Sequence, residues 1–204
     1  MKRILLILTL MGGSTMSFAQ HDLTIEASQN ITNFKFTNSA GEQVEDYKPN
    51  YSGAYALGYR YSLENGLYFP VKLGIRSGGA TYVYDNSNYI WDLKYFESRL
   101  GVGYNYSFGK FGAHFTAMGY YGLLLKANQT LNNEEFDIRE SGEIQTGDFG
   151  VFLSPGVNFE ANEYINIYLD LNYMLGLGNL ETNESQTSNN TLMGATLGLA
   201  FSIK

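Results

Sequence analysis

Along residues 52–62 the chain alternates large and small side chains at every step. Tyr55, Leu57, Tyr59 and Tyr61 project to one side; Ala54, Ala56, Gly58, Arg60 and Ser62 project to the other. Residues 192–203 repeat the pattern, with Met193, Ala195, Leu197, Leu199, Phe201 and Ile203 against Gly194, Thr196, Gly198, Ala200 and Ser202. A period of two is the signature of a strand. In a soluble, half-buried strand the second face would be wet and rich in Lys, Glu and Thr. Here it is mostly small. Such a face suits the crowded lumen of a narrow barrel, and the bulky apolar face then looks outward into lipid. A soluble eight-stranded carrier barrel, with the bulk turned inward around a ligand, is the structural alternative. The small second face argues against it.

The first residues address the chain to export. Met1-Lys2-Arg3 is a basic start, residues 4–11 are apolar, and Ser17-Phe18-Ala19 before Gln20 fits a small-x-small cleavage site. Residues 1–19 therefore read as a signal peptide and 20–204 as one outer-membrane barrel domain. The apolar run is shorter than the roughly 20 residues a spanning helix needs. Without Lys2 and Arg3 the chain has 11 basic and 20 acidic residues, a net charge of −9. That balance argues against a nucleic-acid partner. Cysteine is absent, so neither disulfides nor thiolate chemistry is available. The mean hydropathy of −0.20 does not argue against a membrane barrel, because alternation averages its hydropathy away.

Eight strands are expected, near 22–36, 50–63, 66–79, 89–107, 110–127, 147–160, 163–177 and 191–203. Tight connections at Glu64-Asn65-Gly66, Phe108-Gly109-Lys110 and Ala161-Asn162 alternate with long polar stretches near 37–49, 80–88, 128–146 and 178–190. Short turns on one side and long loops on the other are the outer-membrane pattern, with the short turns and both termini facing the periplasm. Two of the long loops keep alternating. Residues 81–84 against 89–91, and 135–139 against 144–145 around Ser141-Gly142, read as hairpins continuing above the membrane.

The outward set carries no charge: for example Leu67, Phe69, Val71, Leu73 and Ile75, or Ile165, Ile167, Leu169, Leu171, Tyr173 and Leu175. Tyr59, Tyr61, Tyr104, Tyr106, Phe108, Phe111, Phe159 and Phe201 share this parity and crowd the short-turn end, as a periplasmic-side aromatic girdle would. The inward set carries Arg60, Lys72, Arg76, Glu97, Arg99, His114, Asp148, Asp170 and Asn172. Eight strands leave room for little more than side chains, so these charges are expected to pair across the lumen and plug it. Glu97 and Arg99 lie beside Lys72 and Arg76, with Asp170 expected at a comparable height. The sharper alternative is a narrow ion path or polar binding site.

Catalysis finds little support. His114 is the only barrel histidine, and neither Ser107 nor Thr116 stands at a known triad spacing from it. His21 and His114 are too far apart to make a metal site, and no cofactor or metal is expected. Carboxylates collect in the outer loops: Glu42, Glu45 and Asp46; Glu134, Glu135, Asp137, Glu140 and Glu143; Glu181 and Glu184. They read as a solvated surface, or alternatively as ligands for divalent cations bridging to lipopolysaccharide; their spacing matches no calcium loop. Tyr82, Tyr84, Tyr89, Trp91 and Phe136 are candidate contact residues on the loops.

At strands six and seven the residues become specific. Gly147-Asp148-Phe149-Gly150 leads into Pro155-Gly156-Val157-Asn158-Phe159-Glu160, and Tyr173-x-x-Gly176-Leu177-x-Asn179 follows. This run, Leu93-Lys94-Tyr95 before a Gly-rich strand, and the Phe18-Ala19-Gln20 signal end resemble the Bacteroidetes outer-membrane β-barrel family, the PorT-like group. The resemblance implies an all-β, eight-stranded antiparallel transmembrane up-and-down barrel, and a PorT-type role would imply gliding or type IX secretion. No residue here matches a motif that would transfer that role. The chain also ends Phe201-Ser202-Ile203-Lys204 rather than on a terminal aromatic. The combined expectation is a non-enzymatic barrel of the Gram-negative outer membrane with a plugged lumen and a structural or surface-interaction role. A secretion or transport component and a narrow ion-conducting pore are the alternatives. Its partners would be outer-membrane lipid and lipopolysaccharide, the barrel-assembly machinery during biogenesis, and an unidentified protein.

Overall fold

The computed structural model describes residues 20–44, 47–85, 87–183 and 185–203. The expected signal peptide, Glu45, Asp46, Glu184 and Lys204 lie outside the described residues, as does the side chain of Tyr84. Eleven strands form one antiparallel sheet: β1 (Gln20–Thr37), β2 (Gln43–Val44), β3 (Lys48–Ser62), β4 (Leu67–Gly78), β5 (Ala80–Tyr84), β6 (Ser87–Phe108), β7 (Phe111–Leu131), β8 (Glu134–Asp137), β9 (Gly147–Asn162), β10 (Ile165–Gly176) and β11 (Thr187–Ile203). Eight of them form the ring β1-β3-β4-β6-β7-β9-β10-β11, which closes where β1 pairs β11 from His21↔Ile203 to Thr37↔Thr187. Closure leaves the eight described ring strands without an open edge, so backbone groups in lipid are paired strand to strand. β5 extends the wall above β4, while β2 and β8 are short additions at the loop end.

The faces sort by parity. Leu57, Leu100, Tyr106, Phe111 and Leu171 point out, while Ala54, Ala56, Arg76, Glu97 and Asp148 are buried inside. The short turns use local chemistry. Gly66 and Gly109 adopt φ of +87° and +69°, a region that favours glycine. In the third turn β9 continues through Asn162, so the reversal falls at Glu163-Tyr164 rather than at the expected Ala161-Asn162. The Asn162 side-chain oxygen accepts from the Tyr164 and Ile165 amides, an Asx turn.

The loop hairpins divide. Residues 81–84 pair with 87–90, which extends β4 and β6 above the membrane wall. The second expected hairpin is different. β8 folds back on the end of β7, from Asn128↔Asp137 to Leu131↔Glu134, and the turn is Asn132-Asn133 rather than Ser141-Gly142. Both asparagines have positive φ, 48° and 74°, the geometry of a two-residue hairpin turn that asparagine tolerates. Ile144 bridges Glu181 instead of residues 135–139.

Candidate functional site

The lumen is layered from the short-turn end to the loop end. At the short-turn mouth is a polar vestibule of about 490 Å³, with Asp22, Arg60, Asn105, Asn158 and Asn166 on its walls. Arg60 Nε donates to Asp22 Oδ2 at 2.9 Å. The other Asp22 oxygen accepts from Ser202 Oγ and Gln20 Nε2.

The next layer is built from glycine and tyrosine in register. Tyr68 stands opposite Gly103 on the neighbouring strand, and Tyr168 stands opposite Gly198. Each ring covers its glycine so closely that a Cβ there would lie 2.2 Å and 2.1 Å, respectively, from a ring atom. The His114 ring meets both tyrosines edge-on, at centroid distances of 6.4 Å. Its Nε2 lies 2.6 Å from Asp170 Oδ1. Thr116, two residues along, is hydrogen-bonded to the Tyr68 hydroxyl. His114 is thus held as a packing and hydrogen-bonding element.

Above this lies a ladder of charge. Lys72 Nζ donates to Glu26 at 2.6 Å, and Arg99 Nη1 reaches the other Glu26 oxygen at 3.4 Å. Arg99 Nε donates to Glu97, and Arg76 Nε donates to the second Glu97 oxygen at 2.7 Å. Arg76 Nη2 then donates to Asp148 Oδ2 at 2.9 Å. The chain Lys72–Glu26–Arg99–Glu97–Arg76–Asp148 alternates sign at every step. It is drawn from β4, β1, β6 and β9. Tyr120 Oη and Asn190 Nδ2 donate to Asp148 as well, and Tyr168 Oη donates to Glu26. The Arg76 guanidinium lies 4.7 Å from the Tyr95 ring centroid, and that of Arg99 lies 4.2 Å from Phe152. Burying so many charges is tolerable only because each has partners; the net contribution of such a network to stability is small, and its loss in part is costly.

The sequence reading is corrected here in one respect. Asp170 does not join Lys72 and Arg76 but binds His114. The carboxylates that complete the ladder and hold Arg60 include Glu26 and Asp22 on β1, which the sequence reading missed. The signal was present, since Asp22, Thr24, Glu26, Ser28, Asn30 and Thr32 share one parity.

Apolar groups also fill the lumen. Met118, Tyr120, Phe152, Met174 and Leu192 cluster inside the wall. At the loop end Phe34, Leu93, Tyr95, Leu124, Ile138 and Leu180 form a buried cap, with Tyr47, Trp91 and Ile144 packed against it. Of the candidate loop contacts, Tyr82, Tyr89 and Trp91 are half-buried in this cap's aromatic stack. Tyr47 stacks on Tyr82 at 4.9 Å, and Tyr89 stacks on Trp91 at 6.1 Å. Phe136 on β8 is exposed. Burial, with nearby Glu181 next in weight, pushes the Tyr47 phenol up to about 12. Burial and then Glu143 push the Glu181 carboxyl above its usual range. The girdle residues Tyr104, Tyr106, Phe108, Phe111 and Phe201 point outward near the short turns, with Tyr59, Phe159 and Tyr61 on the same face.

A closed ring of eight strands, apolar outside and charged within, defines an integral β-barrel of the outer membrane. The chain matches the outer membrane protein beta-barrel domain family over residues 18–181 and belongs to it. Among solved structures it is similar to the outer membrane protein OprG from Pseudomonas aeruginosa (TM-score 0.56, 10% identity, covering 90% of this chain and 96% of that one). It is also similar to Neisserial surface protein A (0.52, 13%, 89% and 98%). A third is a major outer membrane protein from Thermus thermophilus (0.51, 12%, 90% and 99%). At such identities the likeness is one of fold. No curated protein matches.

Proposed function

We infer that this protein is a non-enzymatic outer-membrane barrel whose lumen carries no current and whose loop end is the surface that meets other molecules. The alternating ladder from Lys72 to Asp148, lying beneath an apolar cap, supports the reading. An ion crossing the barrel would have to break charge-assisted bonds between buried partners and then displace the side chains of the cap. Residues 1–19 act as the export signal, and the assembly machinery inserts the barrel. Purified protein in a planar bilayer should give little steady current. Large, stable, reproducible conductance steps would overturn the reading in favour of a pore.

A role in a secretion or gliding assembly of the PorT type is the second reading, and it rests on the run from Tyr173 to Asn179. Local structure accounts for much of that run. A Cβ at Gly176 would lie 2.7 Å from the Asn190 carbonyl oxygen. Asn179 bonds its own loop through Gln186, Glu181 and Ser188. Leu177 is exposed and would be the residue of the run free to meet a partner. Co-purification from outer membranes with and without Leu177→Asp tests this reading.

A further inference from the structure

A wide groove runs over the outside of β11, β1, β3, β4 and β6, with a volume of about 1330 Å³. Ile25, Leu57, Leu73, Ile75 and Phe96 give it an apolar floor, and its loop-ward end is formed by Ser77 and Lys94. Beside Lys94 the wall is irregular. The β6–β7 register shifts between Lys94 and Tyr95, so Lys94 is opposite Lys126 while Tyr95 is opposite Leu124. Leu125 and Lys126 are consequently both exposed, and Ala127 is buried again. With unbroken alternation from buried Leu124, Lys126 would point into the lumen. The bulge instead turns it outward, which is a recognised use of such bulges. Like charges directly opposite one another destabilise a sheet. This pair is therefore an arrangement that an anion would relieve. Arg139 adds a third cation, its Nη1 donating to the Leu125 carbonyl at 3.2 Å. Glu135 lies 3.5 Å from Lys126 in an exposed pair, which solvent screens.

Depth identifies the anion. From Tyr106 in the girdle to Phe96, the outward side chains of β6 cover about 25 Å along the axis, at roughly 3.3 Å per residue and a tilt of about 40°. Lys94 is the next outward residue, so it stands at the far edge of the apolar band. Asp92, one step further, is exposed. The order along one strand is apolar, basic, acidic. We propose that Lys94 and Lys126 hold a phosphate of lipid A in the outer leaflet, assisted by Arg139, with an acyl chain lying in the groove below. Long basic side chains at this level present their charge to the headgroup layer while their stems cover apolar surface. Lipid A is the occupant because, in the function proposed above, on which this inference rests, the loop end is the outward surface and so lies at the leaflet whose phosphorylated lipid this is.

The test is lipid retention by folded barrel in detergent, read by native mass spectrometry. Wild type should retain bisphosphorylated lipid A and should lose it about tenfold more readily in Lys94→Gln/Lys126→Gln. Lys110→Gln, at the short-turn end, should behave as wild type. Wild-type barrel should also hold dephosphorylated lipid A about tenfold more weakly than the intact lipid, a comparison that needs no variant to fold. Equal retention with and without phosphate, or an undiminished double variant, overturns the site. Equal retention of phosphatidylglycerol overturns lipid A as its occupant.

Discussion

Arg76 and Asp148 meet across the lumen, from β4 to β9, with Nη2 and Oδ2 2.9 Å apart and neither residue exposed to solvent. Strands on separate sides of the barrel are thereby tied through its centre. Removing one member of such a pair strands the other. Arg76→Ala should lower unfolding stability by about 3–5 kcal/mol, because Asp148 stays buried with hydrogen bonds but without a cation. Arg76→Met with Asp148→Asn should cost clearly less than the sum of the two single changes. Urea unfolding in lipid vesicles reads both.

The tyrosine–glycine pairs should behave as interlocked units. Gly103→Ala places a methyl against the Tyr68 ring, and Gly198→Ala does the same at Tyr168. Each should cost about 1–3 kcal/mol by overpacking. Tyr68→Ala should remove most of the penalty of Gly103→Ala while leaving that of Gly198→Ala unchanged. A double-mutant cycle showing strict additivity at 68 and 103 would contradict the contact.

Charge on the outer wall should be punished by depth. Leu169, outward in mid-strand on β10, should cost about 2–4 kcal/mol as Leu169→Arg, or fail to assemble. Leu177, exposed just beyond that strand, should cost about 0–1 kcal/mol as Leu177→Arg. The yield of heat-modifiable protein on a detergent gel measures both. Equal yields for Leu169→Arg and wild type would mean the inner and outer faces are exchanged.

The cap should loosen as pH rises. The Glu181 carboxyl is held above its usual range, first by burial and then by Glu143. The folded loop therefore binds its proton more tightly than the unfolded one. Its contribution is fully present below the ordinary glutamate range, near 4.5, and is lost as pH climbs through the raised value. Trp91, the only tryptophan, packs against the cap and reports on it. Acrylamide should quench Trp91 more strongly at neutral pH than at mildly acidic pH, and Glu181→Gln should flatten that dependence.

The eight strands of the ring and their outward and inward faces were legible in the sequence. Each is written in a period of two, and the chemistry on either side is imposed by lipid or lumen at that residue alone. The inward charges were legible for the same reason. Their partners were not. Whether Asp170 meets Arg76 or His114 depends on how far each strand is sheared along its neighbours, and a small difference in height between distant strands reassigns the pair. The β8 hairpin followed the turn chemistry of Asn132-Asn133 over the weaker alternation near Ser141. The outward aim of Lys126 came from a bulge that breaks the alternation used to read it. Local periodicity determined the wall; closure of the ring, which fixes the register of all eight strands together, decided what meets inside it and what stands beside Lys94 on its surface.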